Sequence, residues 1–187
     1  MENKKYKLTG ESIEVKGKTL YRIEALKDFC EIKKGDKGGF IESENNLAHE
    51  GDAWVSDDAC VSDNARVCGN ARVSDNARVS DNASVSDNSR VCGNARVYGD
   101  ALVRGDACVC GDAEISTDAD YIVFKNWWSS GRYFTWTRSN NMWSVGCFYG
   151  TGDELVKKAY KDSSKSGRQY ERIVKYVEET LKEEENG

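Results

Sequence analysis

AWVSDD-ACVSDN-ARVCGN-ARVSDN-ARVSDN-ASVSDN-SRVCGN-ARVYGD-ALVRGD-ACVCGD-AEISTD, residues 53–118, is the stretch that decides the fold. It contains eleven hexads and no insertion. Position 1 is Ala in all hexads but one, position 3 is Val in all but one, and position 6 is always Asn or Asp. A short repeat of this regularity predicts an architecture in which each unit is stable only against its neighbours.

Each hexad reads as one very short strand followed by a corner. Side chains alternate along a strand, so positions 1 and 3 point inward while position 2 points to solvent. Gly, Asn and Asp at positions 5 and 6 suit a corner, because they tolerate left-handed backbone angles and bond to nearby main chain. The pattern therefore predicts a coil of flat faces, stacked strand on strand.

The motifs VSDNARV, VCGNARV and VYGDALV resemble the hexapeptide repeat of left-handed parallel β-helix proteins. This resemblance implies a triangular prism with three hexads, or eighteen residues, in each coil. We expect a mainly β fold: a left-handed parallel β-helix of about four coils with a β-rich N-terminal cap and a small α+β C-terminal domain. The expected boundaries are 1–40 for the cap, 41–118 for the β-helix and 119–187 for the C-terminal domain.

The segments on either side of the repeat predict covers for its two open ends. Alternating residues around turn signals predict a hairpin or small meander within 6–23. After the repeat, we expect strands at 121–124, 132–138 and 142–149, then a helix at 151–162 opened by a capping box. A second helix at 167–184 carries an apolar stripe at helical spacing. The C-terminal domain should therefore be a βββαα unit.

Composition narrows the possible partners and the compartment. The net charge of −5 is spread without a strongly basic segment, which argues against duplex nucleic acid as a ligand. Neither a secretory signal nor a run of membrane-spanning length is present, so we expect a soluble cytoplasmic protein with no membrane partner. We expect no cofactor.

The seven cysteines do not predict a disulfide framework or a metal site. Five of them occupy outward or corner positions of the repeat, and Cys30 and Cys147 lie outside it. Cys92 and Cys110 are eighteen residues apart and should stack on adjacent coils, while Cys108 and Cys110 form a C-x-C pair. Ligand spacings typical of a metal site are missing. We expect reduced, structurally neutral thiols.

The first candidate site is a cluster of aromatic and Arg residues in the C-terminal domain. Core packing explains part of it, because a small domain needs bulky anchors. Aromatic planes beside guanidinium groups also suit a protein contact, or a nucleotide or other small ligand. All three interpretations remain open for the set Trp127, Trp128, Arg132, Tyr133, Trp136, Arg138 and Trp143.

A weaker candidate is the outward face of the repeat. With eighteen residues per coil, Arg72 should stack beside Arg90, and Arg78 beside Arg96. Such pairs can bind phosphate or carboxylate. They can equally be a solvated surface neutralised by the corner Asp residues, and the acidic excess of this segment favours that interpretation.

His49 raises an enzymatic alternative. Many hexapeptide-repeat acyltransferases use a His as general base beside a coenzyme A groove, and His49 is the only His of the chain. That family also tends to carry loops that form the acceptor pocket, whereas the repeat 53–118 has none. A base without pocket walls does not hold an acceptor in attack geometry, so this function is the second choice.

The order of the segments carries a further resemblance. GDKGGFIESENNL, the regular hexads and ADYIVFKNWWSSGRYFTW together resemble uncharacterised proteins of bacteriophages and prophages, which implies an accessory role in interfering with host defence. We therefore expect a non-catalytic binding or scaffold protein whose partner is a host defence protein. The alternatives are a nucleotide sponge and the acyltransferase. Trimers are common among similar β-helices, so we also expect a homo-oligomer.

Overall fold

The computed structural model describes residues 4–185, and the outermost residues of the first and last expected domains, 1–3 and 186–187, lie outside them. Each of the eleven hexads forms one two-residue strand from its positions 2 and 3. These are β4 (Trp54–Val55), β5 (Cys60–Val61), β6 (Arg66–Val67), β7 (Arg72–Val73), β8 (Arg78–Val79), β9 (Ser84–Val85), β10 (Arg90–Val91), β11 (Arg96–Val97), β12 (Leu102–Val103), β13 (Cys108–Val109) and β14 (Glu114–Ile115).

The strands pair in parallel with the strand eighteen residues later, so three hexads make one coil. Val73 pairs with Val91, and Val91 with Val109. Three faces result: face 1 (β5-β8-β11-β14), face 2 (β4-β7-β10-β13) and face 3 (β6-β9-β12). The expected parallel β-solenoid of about four coils is confirmed. The left-handed winding of the coil stays a prediction.

The interior of the solenoid is formed by positions 1 and 3, as the alternation predicts. Every Ala and Val at these positions of the hexads is at most 1% exposed, and Ile115 closes the series. Small side chains are needed here, because three strands face one another across a narrow prism. Each coil buries its apolar atoms only against the next coil, so the solenoid is stabilised by nearest-neighbour contacts.

The corners of the first ten hexads are built from a left-handed residue at position 5 and a stacked side chain at position 6. The φ of Asp57 is 56° and that of Gly69 is 69°, values that Asp and Gly tolerate. At position 6, each amide bonds to its counterpart one coil later. Asn64 Nδ2 donates to Asn82 Oδ1 at 3.0 Å, and Asn82 Nδ2 donates to Asp100 Oδ1 at 3.0 Å.

The Asn ladders explain why position 6 changes from Asn to Asp near the end of the repeat. The other two corners carry the ladders Asn70–Asn88–Asp106 and Asn76–Asn94–Asp112. A carboxylate only accepts hydrogen bonds, so it ends a ladder without leaving an unpaired N–H group. The change from Asn to Asp at position 6 thus marks the last residue of each ladder.

Main-chain hydrogen bonds outside the strand pairs run in one direction along the prism. Arg66 N donates to Ala83 O, and Cys68 N to Val85 O, in the following coil. The first coil is consequently left with carbonyl groups that lack a donor, and the last coil with N–H groups that lack an acceptor. Buried main-chain groups of this kind must find partners, and the two end segments supply them.

The N-terminal segment provides donors. Its strands β1 (Tyr6–Val15), β2 (Lys18–Ala25) and β3 (Lys37–Ile41) form an antiparallel meander, and β3 continues in parallel onto β5 of face 1. A 3-10 turn (Glu44–Asn46) follows. Lys5 Nζ donates to Ala53 O at 2.7 Å, and Asn46 Nδ2 donates to Ala65 O at 2.9 Å. The expected hairpin cap is confirmed.

The end of the repeat and the C-terminal segment provide acceptors, one for each face. Leu102 N donates to Asp118 Oδ1 at 3.0 Å. Cys108 N donates to Thr135 Oγ1 at 2.9 Å, and Glu114 N donates to Ser139 Oγ at 2.7 Å. Asp118 is the last residue of the last hexad and begins a 3-10 turn (Asp118–Asp120). The last coil is therefore closed by side-chain oxygens rather than by another strand.

The C-terminal domain is a four-stranded antiparallel sheet covered by two helices. The elements are β15 (Tyr121–Lys125), β16 (Tyr133–Thr137), β17 (Met142–Val145), β18 (Phe148–Gly150), α1 (Gly152–Asp162) and α2 (Ser164–Glu185). One sheet face, with Thr135, lies on the last coil. The other, with Phe134 and Trp143, packs on the helices. The sheet therefore separates two hydrophobic cores.

Two of the expected boundaries in this domain are wrong. A single strand over 142–149 is replaced by β17 and β18, because Gly146 (φ 59°) turns the chain back on itself. The second helix begins at Ser164, three residues before the expected position, since only Ser163 separates it from α1. The capping box of α1 is confirmed: Glu154 N donates to Thr151 Oγ1, and Thr151 N to Glu154 Oε2. No helix within 4–185 is both long and apolar enough to cross a membrane.

We expect Thr135→Val to lower the free energy of unfolding by about 1–3 kcal/mol, because it leaves the buried Cys108 N–H without an acceptor. Thr135 is fully buried, and Val has nearly the same shape. Urea unfolding measures the effect. The matched control is Ser139→Ala, which removes the equivalent acceptor at an exposed position and should cost less than about 0.5 kcal/mol. Equal stability of both variants and the wild type would show that this closure of the solenoid contributes nothing.

We expect Asn82→Asp to destabilise the solenoid by less than about 1 kcal/mol at neutral pH, because two carboxylates would then face each other in one exposed ladder. The cost should shrink in high salt, which screens exposed charges. Unfolding midpoints at low and high salt measure it. Asp100→Asn, which keeps an acceptor at the same rung without a charge, is the control. A cost that does not change with salt contradicts this account of the ladder.

Candidate functional site

Three of the seven residues of the aromatic and Arg cluster are core residues. Trp136 and Trp143 are 1% exposed and Trp128 is 8% exposed. Trp128 packs edge-on against Tyr170 of α2, with ring centroids 5.2 Å apart. Of the three open interpretations, core packing therefore applies to these three indoles, and their earlier place among the candidate contact residues is withdrawn. The packing of these three indoles holds the helices on the sheet.

The other four residues reach the surface, but they do not form one patch. Trp127 is 76% exposed and Tyr133 is 40% exposed, and Arg132 lies between them on the same loop and strand end. Arg138 lies at the far end of β16, where its guanidinium bonds to Glu184 of α2 at 2.8 Å. Arg138 thus pairs within the domain, away from Trp127.

The loop that carries Trp127 is held by one buried side chain, Asn126. Its Oδ1 accepts from Ser129 N at 3.0 Å, and its Nδ2 donates to the Tyr170 hydroxyl at 3.0 Å. The main chain of Asn126 bonds to Arg132 and Gly131. A fully paired buried amide fixes the loop to α2, so Trp127 is presented from a preorganised backbone.

We define the Trp127 patch as Lys125, Trp127, Arg132 and Tyr133. Lys125 pairs with Tyr133 across β15 and β16, and its ammonium lies 5.2 Å from the centre of the Tyr133 ring. The patch therefore combines two exposed aromatic rings with two positive charges on an otherwise acidic protein. Exposed Trp, Tyr and Arg are the residues that most often dominate protein contacts.

The Arg columns of the solenoid stack as expected. Arg72 pairs in register with Arg90 on face 2, and Arg78 with Arg96 on face 1. Two of the four have an acidic partner: Arg72 bonds to Glu31 at 2.6 Å. Arg96 lies 3.4 Å from the carboxylate of Glu114. These pairs favour the interpretation of a partly neutralised surface, whose individual ion pairs contribute little.

A groove of about 500 Å³ lies between the β1–β2 hairpin and face 1. Its charged lining is mixed: Lys18 pairs with Asp63, and Arg96 with Glu114. Since opposite charges already meet inside the groove, its field does not select an anion or a cation. The groove carries no functional assignment.

His49 belongs to the N-terminal closure of the solenoid. Its ring stacks on Tyr6 with centroids 4.3 Å apart, and its Nδ1 accepts the main-chain N–H of Lys5 at 3.3 Å. Both ring nitrogens therefore face neighbouring groups of the N-terminal closure: Nδ1 faces the Lys5 N–H, and Nε2 lies 3.8 Å from the carboxylate of Glu44. The general-base role suggested by the acyltransferase resemblance gains no support from this geometry.

Next to His49, Lys5 is a buried cation. Its ammonium donates to Ala53 O and to Gly51 O, and burial, opposed in part by Asp52, lowers the pKa of Lys5 to about 8. Burial also raises the pKa of Tyr6, whose hydroxyl donates to Leu47 O. Both side chains serve the carbonyl end of the prism.

The cysteines differ from the expectation of seven neutral thiols. Cys92 and Cys110 form a disulfide between the third and fourth coils, with Cα atoms 4.6 Å apart. The Cys108 sulfur lies 3.5 Å from that of Cys110, and the three Sγ atoms lie within 4.8 Å of one another. The eighteen-residue spacing of Cys92 and Cys110 was the sequence signal, but the closeness of Cys108 required the structure.

These features define a β-solenoid repeat protein. The family model of the YdcK beta solenoid repeat matches four overlapping segments, residues 59–75, 65–87, 77–93 and 89–111, all within the hexads. The matched part is less than a third of the chain, so the match describes the solenoid and not its end segments. Among curated proteins, none matches the chain.

We expect the stability advantage of the wild type over Lys5→Met to grow as the pH rises from about 8 to about 10. In this window the unfolded chain still holds the Lys5 proton that the folded chain has lost, so raising the pH favours folding. Denaturant unfolding at several pH values measures the difference. Lys7→Met, two residues away with an exposed side chain, should follow the wild type. Curves of wild type and Lys5→Met that stay parallel would contradict the prediction.

Proposed function

We propose that this protein is a non-catalytic binding or scaffold protein that contacts a protein partner through the Trp127 patch. The observation that carries the proposal is the 76% exposure of Trp127 on a loop that Asn126 fixes to the helical layer. A large indole left in solvent is unfavourable for the isolated chain and favourable in a contact.

The arrangement of charge supports a protein contact. Lys125 and Arg132 give the patch a local positive charge, whereas the whole chain has a net charge of −5. An acidic surface on the partner would be attracted to the patch and repelled by the rest of the molecule, which favours one orientation of docking. The partner of the proposal is therefore a protein with an acidic rim around an apolar pocket.

The solenoid contributes rigidity and length. Its coils are joined by main-chain bonds and Asn ladders along every corner, so the two end segments are held at a constant separation. A scaffold function depends on this constant separation and does not require a cleft. The closure of the last coil by Thr135 ties the Trp127 patch to that rigid body through one sheet.

The finer parts of the proposal rest on resemblance. The order of a Gly-rich lead-in, regular hexads and an aromatic tail resembles phage and prophage proteins, so we assign the protein to that kind, with a host defence protein as its partner, acting in the bacterial cytoplasm. The eighteen-residue coil supports assignment to the left-handed hexapeptide type. Trimers are common among similar β-helices, and the proposed state is a homotrimer.

A nucleotide ligand is the second candidate for the same patch. An exposed indole can stack on a base while Arg132 meets a phosphate. The acyltransferase alternative has no comparable observation in its favour. A thermal-shift panel of cyclic and linear dinucleotides separates the nucleotide from the protein partner, since a bound ligand raises the melting temperature by linkage.

We expect Trp127→Ala and Arg132→Ala each to reduce capture of the partner at least tenfold, because exposed Trp and Arg anchors typically cost more than about 1.4 kcal/mol when truncated. The measurement is affinity capture from a bacterial lysate, quantified by mass spectrometry for each variant against the wild type. Melting curves verify that both variants stay folded.

Tyr176→Ala is the matched control, because Tyr176 is an exposed aromatic residue, 60% accessible, on α2 and outside the patch. Its capture profile should equal that of the wild type. If proteins retained by the wild type are retained equally by Trp127→Ala, the patch is not the contact surface and the proposal fails.

A further inference from the structure

Two outward columns of face 2 bring three sulfur atoms together. Positions 2 and 4 of a hexad both point away from the prism, because they are two residues apart on an extended chain. On β13 these positions are Cys108 and Cys110, and on the preceding coil position 4 is Cys92. The same column carries Ser56 and Ser74 on the first two coils, so the sulfurs are confined to the last two.

The three sulfurs form a compact triangle. Cys92 and Cys110 are register neighbours with Cα atoms 4.6 Å apart, and all three Sγ atoms lie within 4.8 Å of one another. A metal–sulfur bond of about 2.3 Å, the length for zinc thiolates, places the sulfurs of a planar three-coordinate site about 4 Å apart. Opening the disulfide to that separation is compatible with the distance between adjacent strands.

The C-terminal domain shelters this triangle. Cys108 N donates to Thr135 Oγ1, so β16 lies directly over β13, and all three cysteines are half-buried. The sulfur cluster is therefore partly shielded from bulk solvent by the C-terminal sheet.

The number of available protein ligands indicates which metal ion the three sulfurs would bind. Soft thiolates prefer Cu(I) and zinc over harder ions, and structural zinc takes four ligands. Among residues 4–184 the group contains these three sulfurs and no fourth His, Cys or carboxylate within the same reach. Three sulfurs without a fourth ligand match a three-coordinate Cu(I) ion.

We propose that Cys92, Cys108 and Cys110 form a Cu(I) site in the reduced protein, and that the Cys92–Cys110 disulfide is the form that excludes the metal. A dithiol reductant gives two electrons and two protons to the disulfide, which becomes two thiols while the reductant becomes a cyclic disulfide. One Cu(I) ion then replaces the thiol protons, which are released to solvent. The site joins the third and fourth coils in both states, by a covalent bond or through the ion.

The test compares reduced and oxidised protein in anaerobic Cu(I) titrations. The protein is reduced with excess dithiothreitol, desalted without oxygen and titrated with Cu(I) in competition with a coloured Cu(I) chelator. We expect one Cu(I) per chain, near-ultraviolet thiolate-to-copper absorption, and a higher melting temperature of the reduced protein through linkage. The oxidised protein should take up no copper at this site.

Matched variants locate the ligands. Cys108→Ser retains the disulfide pair but removes the third sulfur, so its Cu(I) affinity should fall by at least about tenfold. Cys147→Ser, which removes an exposed free thiol outside the triangle, should bind as the wild type does. Wild-type affinity in Cys108→Ser, equal binding by the oxidised protein, or tighter retention of Zn(II) than of Cu(I) would each overturn the proposal. Melting curves of the metal-free variants identify any loss of fold.

Discussion

The hydrogen bonds between successive coils are the constraint on which the rest of the molecule depends. Because they run in one direction outside the strand pairs, a stack of coils ends in unpaired carbonyl groups on one side and unpaired N–H groups on the other. The end segments supply the missing donors at one end and the missing acceptors at the other. Lys5 and Asn46 donate to carbonyl groups of the first coil, and Thr135 and Ser139 accept from N–H groups of the last. Both ends are thus part of the fold of the repeat, and neither open edge remains as a template for further stacking.

The same eighteen-residue register acts on every side chain of the solenoid, whatever its chemistry. It stacks Val on Val inside, Asn on Asn at the corners, Arg on Arg and Cys on Cys outside. Interior stacking gives stability by burial, and corner stacking gives it by ladders of amide hydrogen bonds. Outward stacking brings like groups together: Arg72 lies beside a counter-ion, Glu31, and Cys92 is joined to Cys110 by a covalent bond.

The C-terminal sheet connects this regular stack to an irregular surface. One of its faces completes the solenoid and the other carries a separate aromatic core, so the sheet transmits the rigidity of the coils to the helical layer. Trp127 follows the edge strand β15, where the chain has left the sheet and has not yet turned into β16. Its neighbour Trp128 points back into the aromatic core. Of these two consecutive tryptophans, one is therefore accessible to a partner and the other is part of the core.

The sequence by itself determined the period, the inward and outward positions, the corners, the N-terminal meander and the capped start of α1, because each depends on local geometry repeated or signalled within a few residues. It also placed the Arg pairs, since their spacing equals one coil. Only the tertiary structure decided which aromatic residues are buried, because Trp128, Trp136 and Trp143 face a helical layer that closes over the sheet from distant sequence. It likewise decided that Gly146 divides one predicted strand, and that Cys108 lies beside a disulfide. Those outcomes depend on how separate segments pack in space, which no local pattern records.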